Sequence, residues 1–385
     1  MKYNLADICE YAKGKVDVAI LDADTYISTE NMMPNKRGIT SATSLPTVAQ
    51  TQAFLAGDIL VSNIRPYFKK IWFAEFNGGC SNDVLVFRAK NGVSKRFLYY
   101  VLANDTFFDY SMSTSKGTKM PRGDKAAIMK YDVPDFTYEK QEKIAGILDA
   151  LDKKIQLNTE INNNLEQQAM AIFNNAIQQS KSVTYVKLGS LADVKGGKRL
   201  PKGANLMSIP NSHPYIRVRD LNDVVFASLS TNYEYVDDET QKAISRYITT
   251  TDDVLISIVG TIGLTAIVDK SLNMANLTEN CVKVTNLHGI SPEYLLLYLR
   301  SQHGSEEIKK GTVGAVQAKL PIKNIQALSV PLLPQSDLQS LNDTLKILFN
   351  QLSINIAESK CLTDIRDLLL PKLMSGKLDV SDLDL

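Results

Sequence analysis

The sequence holds no cysteines or histidines at metal-binding spacing: Cys9, Cys80, Cys281 and Cys361 stand far apart, as do His213, His288 and His303. A zinc site needs ligands at helix or knuckle intervals. No metal is therefore expected, and the cysteines read as reduced thiols of a cytoplasmic protein. No apolar run reaches membrane-spanning length. The opening residues, MKYNLADICEYAKGK, lack the apolar centre of a signal peptide. Glycine and proline, 20 and 13 of 385 residues, are too few for long disordered tracts. GxxxxGK[ST] is absent, which excludes a P-loop motor. There is no Pro-Pro, so the Asn/Asp-Pro-Pro-aromatic loop of an adenine methyltransferase is missing. Gly78-Gly79 and Gly196-Gly197 lack the spacing of a nucleotide fingerprint. No cofactor is expected. Pro134-Asp135 with Asp152-Lys153-Lys154 formally fits the PD…DxK pattern of metal nucleases. Asp152 and Lys154, however, fall on a predicted helix, where that chemistry wants adjoining strands.

What is present is uneven charge. The chain carries +1 overall. By blocks, residues 1–137 carry +3, 138–182 carry −1, 183–334 carry +2 and 335–385 carry −3. Two large blocks are slightly basic and two shorter ones acidic, a distribution compatible with nucleic-acid binding.

The strongest signal is internal duplication. A shift of 197 residues carries Val133-Pro134 onto Val330-Pro331 and Gly92-Val93-Ser94 onto Gly289-Ile290-Ser291. The same shift carries Gly117 onto Gly314, Ile128 onto Ile325 and Asn158 onto Asn355. A slightly different shift matches GDILVS (57–62) to DDVLIS (252–257), and Tyr26-Ile27 resembles Tyr215-Ile216. Drift in the shift implies small loop insertions. Each half reads as a mixed domain followed by a helix. DILVSNI and DVLISIV are short β-branched strands opened by an acidic turn residue. KRFLYYVLAND and PEYLLLYLRSQ are amphipathic helices with Ser94 and Ser291 as N-caps.

After each domain comes a heptad pattern. Ile144, Leu148, Leu151, Ile155, Asn158, Asn162, Leu165, Ala169 and Ile172 advance by alternate steps of four and three. So do Leu341, Leu345, Leu348, Leu352, Asn355, Ser359, Leu362, Arg366 and Leu369. This predicts a coiled-coil seam, with Asn158 and Asn355 at the same position fixing register. The fold class expected is α+β: two pseudo-repeated mixed α/β domains separated by an antiparallel two-helix coiled coil. Antiparallel pairing would put the domains at opposite ends of a rod about 42 Å long, slightly more than one turn of B-DNA at about 34–36 Å. The expected blocks are domain 1 (1–137), helix 1 (138–182), domain 2 (183–334), and helix 2 with its tail (335–385).

These segments resemble the specificity subunit of type I restriction-modification systems over nearly the whole chain. The match is most specific in IRDLLLPKLMSGKLDVSDL (365–383) and EKQEKIAGILDALDKKIQLNTEINNNLEQQ (139–168). YISTENMMP (26–34), GDILVSNIRP (57–66) and PYIRVRDLN (214–222) look like stretches of its target-recognition domains. The resemblance implies a non-catalytic subunit whose two target-recognition domains each read half of a split, asymmetric DNA sequence. It implies helices that set the gap and dock two methyltransferase (modification) subunits, and a complex to which motor-nuclease (restriction) subunits can be added. One departure is that LPQSDLQSLNDTL (333–345) lacks the counterpart of Lys140-Gln141-Glu142.

DNA binding requires cations for phosphates and forked or polar groups for base edges. The candidates in the first domain are Arg65, Tyr67 and Lys69 in one loop, and Lys116, Thr118, Lys119 and Arg122 in another. In the second domain they are Lys198, Arg199, Arg217 and Arg219, then Lys309, Lys310 and Thr312, with Gln317 and Lys319 nearby. Lys309-Lys310-Gly311-Thr312 is taken as the counterpart of the Lys116 loop. A coiled-coil scaffold with two protein-binding domains is the alternative, and it predicts no salt-sensitive DNA affinity.

Overall fold

The computed structural model describes residues 3–231, 233–314 and 317–380. Ser381, Asp382 and Leu383, the end of the 365–383 segment, lie outside the described residues. Contacts divide the chain into two compact units. Unit 1 is Met1–Leu157 with Glu358–Leu385, and unit 2 is Asn158–Ala357. Both long helices, Tyr138–Gln179 and Gln335–Met374, are therefore shared. Each unit holds the first part of the helix that follows its sheets and the last part of the other.

The sheets of unit 1 arise from short β-branched and aromatic runs broken by Gly, Asn and Asp. One sheet runs Cys9–Tyr11, Val84–Ala89, Ile59–Ser62, Ile71–Phe73, all antiparallel. A second runs Lys15–Asp17, Gln50–Phe54, Gly78–Cys80, Tyr26–Ile27, with the last pair parallel. Tyr3–Asn4 pairs with Asp132–Val133. Unit 2 repeats the plan. Asp193–Gly196, Cys281–Thr285, Val254–Ser257, Thr265–Val268 and Phe226–Ala227 form one sheet. Glu234–Tyr235, Pro214–Ile216 and Asn276–Leu277 form the second. Thr184–Lys187 pairs with Ser329–Leu332. Tyr26-Ile27 and Tyr215-Ile216 occupy equivalent places, each the parallel partner of a strand 197 residues removed from the other's, at Gly79-Cys80 and Asn276-Leu277. Mixed helix and sheet make this an α+β chain.

The predicted caps are in place. Ser94 accepts from the Phe97 amide at 3.3 Å and opens Lys95–Ala103; Ser291 accepts from the Tyr294 amide at 3.2 Å and opens Pro292–Arg300. The acidic residues that open the central strands do more than turn the chain. Asp58 accepts from the Leu55 amide at 2.8 Å and pairs with Arg88; Asp253 accepts from the Thr250 amide at 2.8 Å and pairs with Lys283 at 3.1 Å. A carboxylate this buried is tolerable only when paired and hydrogen-bonded.

In unit 1 the core takes in Ile144 and Leu148 from the first long helix and Leu370, Leu373 and Met374 from the second. Arg366 donates to Asp152 at 2.7 Å, Tyr100 donates to the other oxygen of Asp152 at 2.8 Å, and Lys154 pairs with Glu358 at 3.2 Å. Asp152 and Lys154 are thus ion-pair members on a helix, and the PD…DxK match is coincidental. In unit 2, Ala169 and Phe173 share a core with Leu341, Leu345, Phe349 and Leu352, with Leu165 and Leu348 packed against it. Asn158 donates to the Asn355 carbonyl at 3.5 Å, and Asn355 donates to Asn162 at 2.9 Å. Leu151, Ile155 and Leu362 are half-buried. One seam position differs from expectation: Ile172 is 37% exposed and Phe173 is buried. A 3.6-residue helix drifts against a strict heptad, and the inward face passes to the next residue.

Gln141 accepts from the Ser94 amide at 3.0 Å and donates to the Phe136 carbonyl at 2.9 Å. Unit 2 lacks that glutamine, and Asn342 takes over, accepting from the Ser291 amide at 3.3 Å and donating to the Gly289 carbonyl at 3.1 Å. The sequence departure at 333–345 is therefore met by another amide on the same helix.

Candidate nucleic-acid interface

In unit 1 the strand Ile59–Ser62 runs into a loop that the chain pins at several points. The Arg65 amide donates to the Pro121 carbonyl at 2.8 Å, and the Gly123 amide to the Asn63 carbonyl at 3.2 Å. Lys116 and Arg122 exchange backbone hydrogen bonds at 2.9 and 3.0 Å, closing a small hairpin. Gly117, at φ +89°, supplies its turn. A larger residue at Gly123 would force its neighbours to move, because a Cβ there would stand 2.8 Å from Asn63 Oδ1 and from Ile128 Cδ1. Arg65, Lys116, Thr118, Lys119 and Arg122 are thereby gathered on two stitched loops. Tyr67 is exposed at the tip of the first, beside Phe68.

The cations have acidic neighbours that their own spacing did not reveal. Lys116 pairs with Asp124 at 2.6 Å, Arg122 with Asp83 at 3.1 Å, and Lys69 with Asp105 at 2.8 Å, where Lys36 joins it. The Lys116 hydrogen bond holds the Asp124 carboxyl below its ordinary range. Burial pushes Asp105 upward, but its hydrogen bonds to Lys36 and Lys69 prevail and hold it low. Lys119 has no acidic partner among the described residues. Lys36 was not foreseen; it lies 33 residues from Lys69 in the chain, and only folding joins them through Asp105.

Unit 2 uses the same stitching. Val313 and Lys319 exchange backbone bonds at 2.9 and 2.8 Å, and the Leu320 amide donates to the Ile258 carbonyl at 3.0 Å. Gly314 turns the loop at φ +99°. Lys319 thus stands where Arg122 stands, and Val313 where Lys116 stands. This corrects one expectation. Lys309 and Lys310 lie in the last turn of the helix Gln302–Gly311, and Thr312 caps it by donating to the Ile308 carbonyl at 2.8 Å. The shared Lys-Gly-Thr letters are out of register with the backbone by three residues. Gln317 and Lys319 are exposed on the true counterpart loop.

The remaining cations of unit 2 gather at the end of its second sheet. The Lys198 amide donates to the Leu277 carbonyl at 2.8 Å, and Lys198's carbonyl accepts from Tyr215 Oη at 3.1 Å. Gly197 allows this approach, since a Cβ would meet the Thr278 carbonyl oxygen at 2.0 Å. Arg199 pairs with Glu279 at 2.9 Å, while Arg217 and Arg219 converge on Glu234. Glu279 precedes Asn280, whose carbonyl accepts from the Ile258 amide at 2.8 Å, so this group abuts the Lys319 loop. The three guanidinium groups are held by carboxylates and the Lys198 ammonium lies 5.4 Å from the centre of the Tyr247 ring, yet all four reach the surface.

Other chemistry is sparse. Burial pushes the thiols of Cys9, Cys80 and Cys281 up to about 12, which makes them poor nucleophiles. Among the described residues, no group of His, Cys, Asp and Glu could hold a metal ion, and no helix is long and apolar enough to cross a membrane.

The fold and these surfaces define a duplicated α+β protein with one stitched, cation-bearing loop pair per copy. The family profile described as the type I restriction modification DNA specificity domain matches residues 1–167 and again 180–361. The chain belongs to that family and carries two target-recognition domains. It is 23% identical to the Type I restriction enzyme HindI specificity subunit of Haemophilus influenzae, covering 98% of this chain and 99% of that protein. It is also 23% identical to the MjaIX specificity subunit of Methanocaldococcus jannaschii, over 76% of this chain and 71% of that one. The S subunit of a type I restriction-modification system from M. genitalium shares the fold, with a TM-score of 0.60 at 17% identity, covering 99% of this chain and 96% of that one.

Proposed function

We propose that this chain is the non-catalytic DNA-reading subunit of a type I restriction-modification complex. Residues 1–137 and 183–334 each read one half of a split, asymmetric duplex target. The two long helices form an antiparallel coiled-coil spacer that sets the gap between the halves. They also dock two methyltransferase subunits, to which motor-nuclease subunits can be added in the cytoplasm. The observation that carries this reading is the recurrence of the stitched loop pair, with a basic residue at the same place in each copy, Arg122 and Lys319. Lys116, Lys119, Arg199, Arg217 and Arg219 contribute phosphate contacts, and their acidic neighbours hold several of these side chains at the surface for DNA to recruit.

The test is binding of the assembled complex to duplex DNA across a salt series. Affinity should fall steeply as salt rises, and Lys116→Ala with Lys119→Ala should flatten the slope by about two phosphate contacts, whatever the sequence. Affinity indifferent to salt would overturn the reading in favour of a protein scaffold.

A further inference from the structure

Arg65 is expensive for the fold and returns nothing to it. Its backbone is left-handed, at φ 50° and ψ 64°, a conformation that crowds any side chain with a Cβ. The equivalent residue of unit 2 is Gly260, one step beyond Val259, which bridges Lys319 as Ile64 bridges Arg122. Gly260 is left-handed as well, at φ +79°. The fold therefore demands this conformation at both places, and glycine meets the demand without strain. A side chain at Gly260 would have room, since nothing lies within 4 Å of a Cβ built there. The contrast is thus in what each unit displays, not in what space allows.

The Arg65 side chain gains no internal compensation. It makes no hydrogen bond or ion pair among the described residues, and its Nε is buried without a partner. Two residues earlier, Asn63 Oδ1 is also buried and unpartnered. Meanwhile the backbone is held on both sides: the Arg65 amide donates to Pro121, its carbonyl accepts from Phe68 at 2.9 Å, and the buried Pro66 follows. An unpaired guanidinium on a strained, pinned backbone, in the loop stitched to the one that carries Lys116, Lys119 and Arg122, is a preorganised fork awaiting an external acceptor. Guanine offers O6 and N7 in the geometry that such a fork matches.

We propose that Arg65 is the residue by which unit 1 selects a guanine, and that Gly260 leaves unit 2 without that contact. This rests on the DNA-reading function proposed above. The experiment is methylation-site sequencing of DNA from cells carrying the chain and its modification partner, for the parent, Arg65→Gly and Arg65→Lys. In the glycine variant, one G·C pair in one half of the motif should lose its preference by about ten-fold or more. The other half should be unchanged, and the purified complex should melt at or above the parent temperature. Arg65→Lys, which keeps the charge and loses the fork, should relax the same position. An intact motif with weaker methylation everywhere would make Arg65 a phosphate contact and overturn the proposal. A glycine variant that melts lower would make it a structural residue and overturn it likewise. A parent motif without two parts would instead strike at the underlying reading.

Discussion

Units 1 and 2 share a scaffold and differ at its rim. Both open the central strand with a buried aspartate, cap the following helix with serine and stitch a glycine-turned hairpin onto the strand's end. At the rim, unit 1 displays Arg65, Lys116 and Arg122 where unit 2 has Gly260, Val313 and Lys319. Unit 2 instead draws its cations from 198–219, around Glu279 and Glu234. Buried polar groups that hold the fold recur, while exposed groups diverge, so one scaffold displays two different surfaces.

The largest expected effect lies in the buried carboxylates. Asp253→Ala leaves Lys283 charged and only 11% exposed, at a cost of about 3–5 kcal/mol. Asp58→Ala should cost less, because Arg88 is 33% exposed and can turn to water. Urea unfolding of the two variants checks this, and equal losses would break the comparison. Next come the amides that bind each recognition domain to its helix. Gln141→Leu strips a buried acceptor from the Ser94 amide, for about 1–3 kcal/mol. Asn342→Leu should cost less, since its bond is longer and its side chain only half-buried. The smallest effect is on the salt slope. Lys319→Ala should reduce it by about one phosphate contact, against about two for the Lys116 and Lys119 pair. A larger effect in unit 2 would reverse the assignment of the charged rim.

Much of this was legible in the sequence because duplication and periodicity are local signals. The 197-residue shift, Ser94 and Ser291, and Asp58 and Asp253 all follow from spacing. What escaped needed three dimensions. Ile172 and Phe173 exchange roles through helical drift that a heptad count ignores. Lys309–Thr312 looked like a repeat of the Lys116 loop because three letters agreed, while backbone bridges set another register. The carboxylates beside Lys69, Lys116, Arg199 and Arg217 lie from eight to eighty residues away in the chain, so charge counting found the cations and not their partners. Arg65 was visible as a cation, but its left-handed backbone was not.

The central claim is that two reading surfaces, spaced by the long helices, recognise a target in two parts. Its most direct test is methylation-motif mapping of the parent chain and of a variant lacking one heptad from each long helix, Gln156–Asn162 and Ser353–Ser359. Removing about 10 Å of rise should leave both parts of the motif intact and narrow the gap by roughly three base pairs. A continuous motif in the parent, or an unaltered gap in the shortened variant, would contradict the account.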